Sequence, residues 1–181
     1  LIQSFPVKHL VLPKDSTSEV LKELISVAKQ RNIPILTPSM KESLTCDNQV
    51  YTFLQPDLNR QNENDQSLVM TLEMENFSVL FTGDMSTHLE PAILSVYELS
   101  ELNVYKAAHH GSKTSNSFSF LQQLAPSVSV VSAGKNNRYG HPSEAFLNVL
   151  SQLNIPLLST PQDGTIQFKI KEDKVFLQSF Q

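Results

Sequence analysis

The sequence predicts an α/β protein with added β-hairpins, and three observations carry that prediction. Apolar runs of alternating pattern take turns with segments whose apolar residues recur at helical spacing. Pairs of apolar runs are joined by short polar turns, as hairpins require. Four of the five glycines, Gly83, Gly111, Gly134 and Gly140, fall in loops that follow predicted strands. Glycine there permits positive φ or a close backbone approach, which ligand-holding loops need.

The elements follow in order. "VKHLVLP" reads as a short strand, "TSEVLKELISVAKQRN" as an amphipathic helix with a Ser/Thr start, and "IPILTP" as a second strand; together they form a βαβ unit. "CDNQVYTFLQP" reads as a strand and "LNRQNENDQ" as a polar loop without periodicity. "SLVMTLEMENFSVLFTGD" is expected to be a hairpin turning near Glu75 and Asn76. Then come a helix over 87–99, a strand over 102–108, a helix over 116–124, the strand "SVSVVSA", a helix over 143–152 and a short strand near 157. "TIQFKIKEDKVFLQSF" closes the chain as a hairpin turning at Glu172 and Asp173. There is no internal repeat, low-complexity tract or evident boundary, so residues 1–181 read as one domain or a large part of one.

Composition narrows the function. With 40% hydrophobic residues the chain can build a core. No run of about 18 apolar residues spans a bilayer, and the opening "LIQSFPVKHLVLP" lacks the features of a signal peptide, so the piece is expected to be soluble. A single cysteine, Cys46, excludes an internal disulfide framework and a cysteine-clustered zinc site. The net charge of −4 argues against a broad nucleic-acid-binding surface, but the charge is uneven. All 18 acidic residues lie outside the stretch from Leu102 to Ser143, which carries Lys106, Lys113, Lys135 and Arg138. That stretch suits an anion.

The chemistry-bearing residues sit on the glycine-containing loops. "FTGD" presents Asp84, "YKAAHHGSKTS" presents His109 and His110, and "RYGHP" presents His141. In an α/β sheet the loops at the carboxyl ends of strands gather on one edge, so these residues are expected to share one small cleft. A carboxylate converging with two or three imidazoles is a donor set for zinc, manganese or iron. Each also has a plainer reading, as a turn aspartate or a loop histidine. The adjacent pair is the hardest to read that way, because two titratable rings at one strand end need partners. His9 and His88 lack this context and read as structural. Asp65 is a further ligand only if the polar loop around it folds inward. Ser112 lies beside a histidine, but no nucleophile-elbow GxSxG string exists to make it a hydrolase serine.

"FTGD", "AHHGSKTS" and "GKNNRYGHPS", in this order and spacing, resemble the C-terminal half of the metallo-β-lactamase-like domain of the ComEC family of bacterial DNA-uptake competence proteins. The resemblance runs from about Leu10 to near the C-terminus. It implies an αββα sandwich with a metal site on one edge of two sheets. It further implies that Asp84 stands where a carboxylate bridges two metals. His109 or His110, with His141, match later ligand or active-site positions, and the spacing does not choose between the paired histidines. The cofactor implied is a divalent metal, zinc or manganese. The implied partners are DNA, bound without sequence specificity, and the rest of a parent membrane protein, at the outer face of the membrane.

One departure stands out. The superfamily's opening His/Asp cluster, resembling HxHxDH, is absent from these 181 residues, and Asn64 or Asp65 stands near where a third-motif histidine is expected. The chain is therefore expected to be the C-terminal portion of the domain, self-associating and without nuclease activity when isolated. The complete site would hydrolyse phosphodiesters, with Asp84, His110 and His141 in the catalytic centre and Lys113, Lys135 and Arg138 holding substrate phosphates. The rival expectation is a non-catalytic DNA- or partner-binding domain of the same fold. Tyr139 is the one aromatic residue in these loops, so no stacking platform is evident and base-specific reading is not expected.

Overall fold

The computed structural model describes residues 4–14, 19–54, 63–96, 102–171 and 174–180. In chain order its elements are β1 (Leu10–Val11), α1 (Glu19–Gln30), β2 (Ile35–Leu36), β3 (Ser43–Cys46), β4 (Gln49–Phe53), β5 (Met70–Met74), β6 (Phe77–Phe81), α2 (Glu90–Val96), β7 (Val104–Lys106), α3 (Phe118–Leu124), β8 (Val128–Val131), α4 (Glu144–Leu153), β9 (Leu157–Ser159), α5 (Thr160–Asp163), β10 (Thr165–Lys171) and β11 (Lys174–Phe180). Short 3-10 turns occupy Glu63–Gln66 and Ala108–Gly111.

Seven strands form one sheet in strict sequence order, β3 through β9. β3 to β6 is an antiparallel meander, and β6 to β9 run parallel, joined through α2, α3 and α4. Alternation decides what each face covers. Leu80, Tyr105 and Val131 point to the helical side, where Ile93, Phe120, Leu121, Phe146 and Leu150 complete a buried core. Phe77, Val79 and Val104 point the other way, against Phe168 and Ile170 of the β10–β11 hairpin. Helices, sheet and a strand pair thus stack in the order of a sandwich whose second sheet is represented here by the hairpin. Beneath the hairpin runs a groove of about 390 Å³ lined by Leu72, Phe81, Val130 and Ile166 among others. On β11, Val175, Phe176, Leu177 and Phe180 are all exposed.

Most expected elements are present. The βαβ unit is a parallel β1–β2 pair around α1, and the hairpin turn falls at Glu75–Asn76, with Glu75 at φ 54°. The segment expected as one strand from Cys46 is instead the second arm of a hairpin. Asp47 at φ 54° turns the chain, and β3 precedes it. Asp and Asn tolerate that conformation, so "DN" between apolar residues makes a turn. The far end of the expected 87–99 helix, most of the polar loop after β4 and the turn at Glu172 and Asp173 lie outside the described residues. Each helix around the site starts on a serine cap: Ser117 accepts from the Phe120 N–H and Ser143 from the Phe146 N–H.

Candidate metal and phosphate site

Three loops at the carboxyl ends of β6, β7 and β8 meet on one edge of the sheet. Gly83 turns the first at φ 54°, and a Cβ there would lie 2.7 Å from the Ser67 side chain, so the position accepts only glycine without displacement. Its carbonyl accepts the His109 N–H at 2.9 Å, tying the first loop to the second. Ser67 Oγ accepts the Asp84 N–H at 2.8 Å and so orients the aspartate.

The second loop is wound tightly. His109 (φ 46°, ψ 47°) and His110 (φ 56°, ψ 25°) are consecutive left-handed residues, a conformation that costs about 1–2 kcal/mol for each non-glycine residue. Such strain persists where the surroundings over-determine it. Here Asn116, itself at φ 66° and buried, does so. Its Oδ1 accepts from the Tyr105 hydroxyl at 2.7 Å and the Ala108 N–H at 2.9 Å, and its Nδ2 donates to the Ala108 and Ser112 carbonyls at 3.1 and 3.3 Å. Gly111 at φ 81° completes the turn; a Cβ there would meet Phe146 and Pro142 at 2.9 Å. Ser143 fastens the third loop by donating from both N and Oγ to the Gly111 carbonyl at 2.9 Å. In that loop Asn137 clamps His141, accepting its N–H at 2.9 Å and donating to its carbonyl at 2.6 Å. The His141–Pro142 bond is cis.

Asp84, His109, His110 and His141 are brought together by this framework. The three imidazole centroids lie 5.6–6.5 Å apart. His110 Nδ1 is 2.6 Å from the Ser132 carbonyl, which can only accept, so Nδ1 carries the proton in the neutral ring. That leaves a lone pair on Nε2, and Nε2 faces Asp84 Oδ1 at 3.9 Å. Two acceptors so placed, each about half exposed, can share a cation or be satisfied by water. The Nδ1 atoms of His109 and His141 are buried without a hydrogen-bond partner. The His141 pKa is lowered from the ordinary imidazole value, first by lost hydration and then by His109 and His110, with Asp84 opposing. Lys106, at the end of β7, has its pKa lowered by burial, again against the pull of Asp84.

As donors, one carboxylate and buried imidazole nitrogens match a divalent ion in chemistry. They do not enclose one: among the described residues no group of three or more His, Cys, Asp or Glu side chains is arranged to hold a metal.

Lys113, Lys135 and Arg138 are exposed on the histidine loops, and Arg138 lies over the Tyr139 ring at 4.8 Å. His9 and His88 are exposed. Asp65 is buried in its 3-10 turn, where its Oδ1 accepts from the Ser86 hydroxyl at 2.6 Å and the Ser86 N–H at 3.3 Å. Ser67, Asn116, Asn137 and Ser132 hold the site and were not singled out from the sequence. Only Asn116 gave a signal, as a residue type that favours left-handed turns.

No family model matches the chain. Its fold is similar to that of a variant of the β-hydroxylase CmlA, with a TM-score of 0.53 at 11% identity, covering 83% of this chain and 38% of that one. It is also similar to a candidate metal-dependent hydrolase from Parabacteroides distasonis, with a TM-score of 0.52 at 9% identity, covering 87% of this chain and 78% of that one. The fold is that of the metallo-β-lactamase proteins.

In sequence the chain is 35% identical over 173 residues to ComE operon protein 3 of Bacillus subtilis (strain 168), an alignment spanning 94% of this chain and 22% of the relative. It is 34% identical over 120 residues to Competence protein ComA of Neisseria gonorrhoeae, spanning 65% of this chain and 17% of that one. It is 28% identical over 116 residues to Recombination protein 2 of Haemophilus influenzae, spanning 64% and 14%. The chain is thus a homologue of these competence proteins and spans about a fifth or less of their length. No helix among the described residues is long and apolar enough to cross a membrane.

Proposed function

We propose that the chain carries one half of a divalent-metal phosphodiesterase centre that acts on DNA in competence, within a parent membrane protein and at the outer face of the membrane. The facing pair, His110 Nε2 and Asp84 Oδ1 at 3.9 Å, carries this reading, because two acceptors at that separation suit a shared cation. Asp84, His109, His110 and His141 are the candidate ligands; as placed among the described residues they do not enclose an ion, so the reading requires further donors. Bound zinc or manganese would supply an activated water and neutralise charge at phosphorus. The chain's own groups do the rest. The surroundings of His141 lower its pKa and so favour the neutral imidazole that a ligand must be, and the Ser132 carbonyl fixes the His110 tautomer. Lys113, Lys135 and Arg138 hold phosphate oxygens, and the absence of acidic residues between Leu102 and Ser143 keeps that surface favourable to a polyanion.

Titration of manganese or zinc into the protein tests the reading. Weak binding that Asp84→Ala abolishes is expected, with DNA cleavage gained only when the chain is extended upstream and lost again in His141→Ala. DNA cleavage by the 181-residue chain alone, stopped by chelator, would show that the site is already whole. The lack of a closed donor group favours a second reading, a binding domain without catalysis. DNA binding without metal binding, in the chain and in its extended form alike, would establish it.

A further inference from the structure

Beside the imidazole cluster lies a cleft of about 330 Å³, walled by His110, Ser132, Ala133, Gly134, Asn137, Tyr139 and His141. That is near the lower limit of small-ligand pockets, about 300–1,000 Å³. Tyr139 forms one wall and is 66% exposed. Its ring lies nearly parallel to His141, at 5.9 Å and 18°, and His141 is aligned with His110 at 6.5 Å and 24°. A row of similarly oriented rings therefore leads from solvent to the nitrogen that faces Asp84.

A lone exposed tyrosine is ordinary on a protein surface. This one differs in three ways. Its neighbour in the row is fixed, because Asn137 grips His141 from both sides of the peptide and is itself anchored to the Gly134 carbonyl at 3.0 Å. A guanidinium, Arg138, lies over the ring and donates to the Tyr139 hydroxyl, so a base that stacks on that face takes the place of the guanidinium. And Lys135 adjoins Gly134 in the cleft wall, within the stretch that has no acidic residue.

We propose that the cleft is a nucleobase subsite: a base of single-stranded DNA stacks on Tyr139 while Lys135 and Lys113 hold the neighbouring phosphates. This rests on the phosphodiesterase reading above and adds the form of the substrate, a strand with its bases unpaired. Stacking accepts every base, since each has a π-face, so the subsite selects single strands without selecting sequence. It also gives the loop tyrosine a use that its isolation in the sequence concealed.

The test compares two labelled probes of equal length, an oligothymidylate and an abasic deoxyribose-phosphate strand, by fluorescence anisotropy with the protein and no divalent ion. The intact strand is expected to bind about tenfold more tightly. Tyr139→Ala should remove that difference and leave the abasic affinity unchanged, Tyr139→Phe should keep it, and Lys135→Ala should weaken both probes alike. Equal binding of the two probes to the unaltered protein, or equal weakening of both by Tyr139→Ala, overturns the base subsite and leaves the phosphate site standing. Binding of neither probe overturns the DNA reading and this inference with it.

Discussion

Replacing Asn116 by alanine tests how the paired histidines are held. The substitution takes the acceptor from the Tyr105 O–H and the side-chain donor from the Ala108 carbonyl, and leaves the Ala108 N–H with only the Tyr105 oxygen at 3.3 Å. The Ser112 carbonyl keeps the Ser115 N–H at 3.4 Å. Each buried group left unpaired costs about 1–3 kcal/mol, and alanine at φ 66° adds about 1 kcal/mol over asparagine. Some relaxation offsets this, so the loss expected is about 3–5 kcal/mol, a large share of a typical stability of about 5–15 kcal/mol. For a chain of this length that lowers Tm by roughly 6–20 °C. Thermal and urea unfolding followed by circular dichroism would measure it. Asn116→Gly should recover about 1 kcal/mol relative to alanine, because glycine accepts positive φ without cost. Asn137→Ala, whose bonds are part-buried or exposed, should cost only about 1 kcal/mol. A loss below about 1 kcal/mol for Asn116→Ala would refute the claim that this side chain over-determines the strained turn.

Tyr105 is fully buried and its phenol pKa is raised far above the ordinary 10.0, chiefly by burial. Above about pH 10 the unfolded state loses this proton and the folded state keeps it, so stability should fall by about 1.4 kcal/mol per pH unit from this group, and Tyr105→Phe should remove that slope in urea titrations at pH 9–11. Gly111→Ala should cost about 2–3 kcal/mol in urea unfolding, from positive φ plus the 2.9 Å approaches to Phe146 and Pro142. In an NMR titration His141 should titrate below an ordinary imidazole; Asp84→Asn should lower its pKa further, and His110→Ala should raise it. Sedimentation should show the isolated chain associating through its exposed β11, and Phe176→Lys with Leu177→Lys should return it to monomer.

Where the sequence was informative, it was because a residue's own chemistry names its role. Asp84 and the three histidines are few, and each follows a strand, so their meeting on one edge could be read from order alone. The Glu75–Asn76 turn was legible because period-two runs flank it. β3 was missed because "SLTC" has one strongly apolar residue and lies on the sheet edge, where the structure leaves it mostly exposed. The supports of the site were hidden for a different reason. The Ser132 carbonyl that sets the His110 tautomer belongs to the backbone and has no side-chain signature. Ser67 reaches Asp84 across 17 residues, and only the tertiary fold makes that serine differ from the others. The second strand layer was inferred from resemblance, and among the described residues the strands packed on the far face of the main sheet are those of the β10–β11 hairpin.

In the main sheet every strand lies beside the one before it in sequence. β3–β4 and β5–β6 are joined by tight turns, whereas β6 to β9 are joined by crossovers that each contain a helix, and the entropy lost in closing such a connection grows only slowly with its length. The crossovers of the parallel half still make its pairings long-range, but each strand pairs with its immediate predecessor in sequence. The site inherits that order: Asp84 is delivered at the end of β6, the histidine pair at the end of β7 and His141 after β8, so the edge is built up one loop at a time. Its last ring is held by Asn137 within its own loop and by Ser143, which ties the start of α4 to the Gly111 carbonyl of the histidine-pair loop.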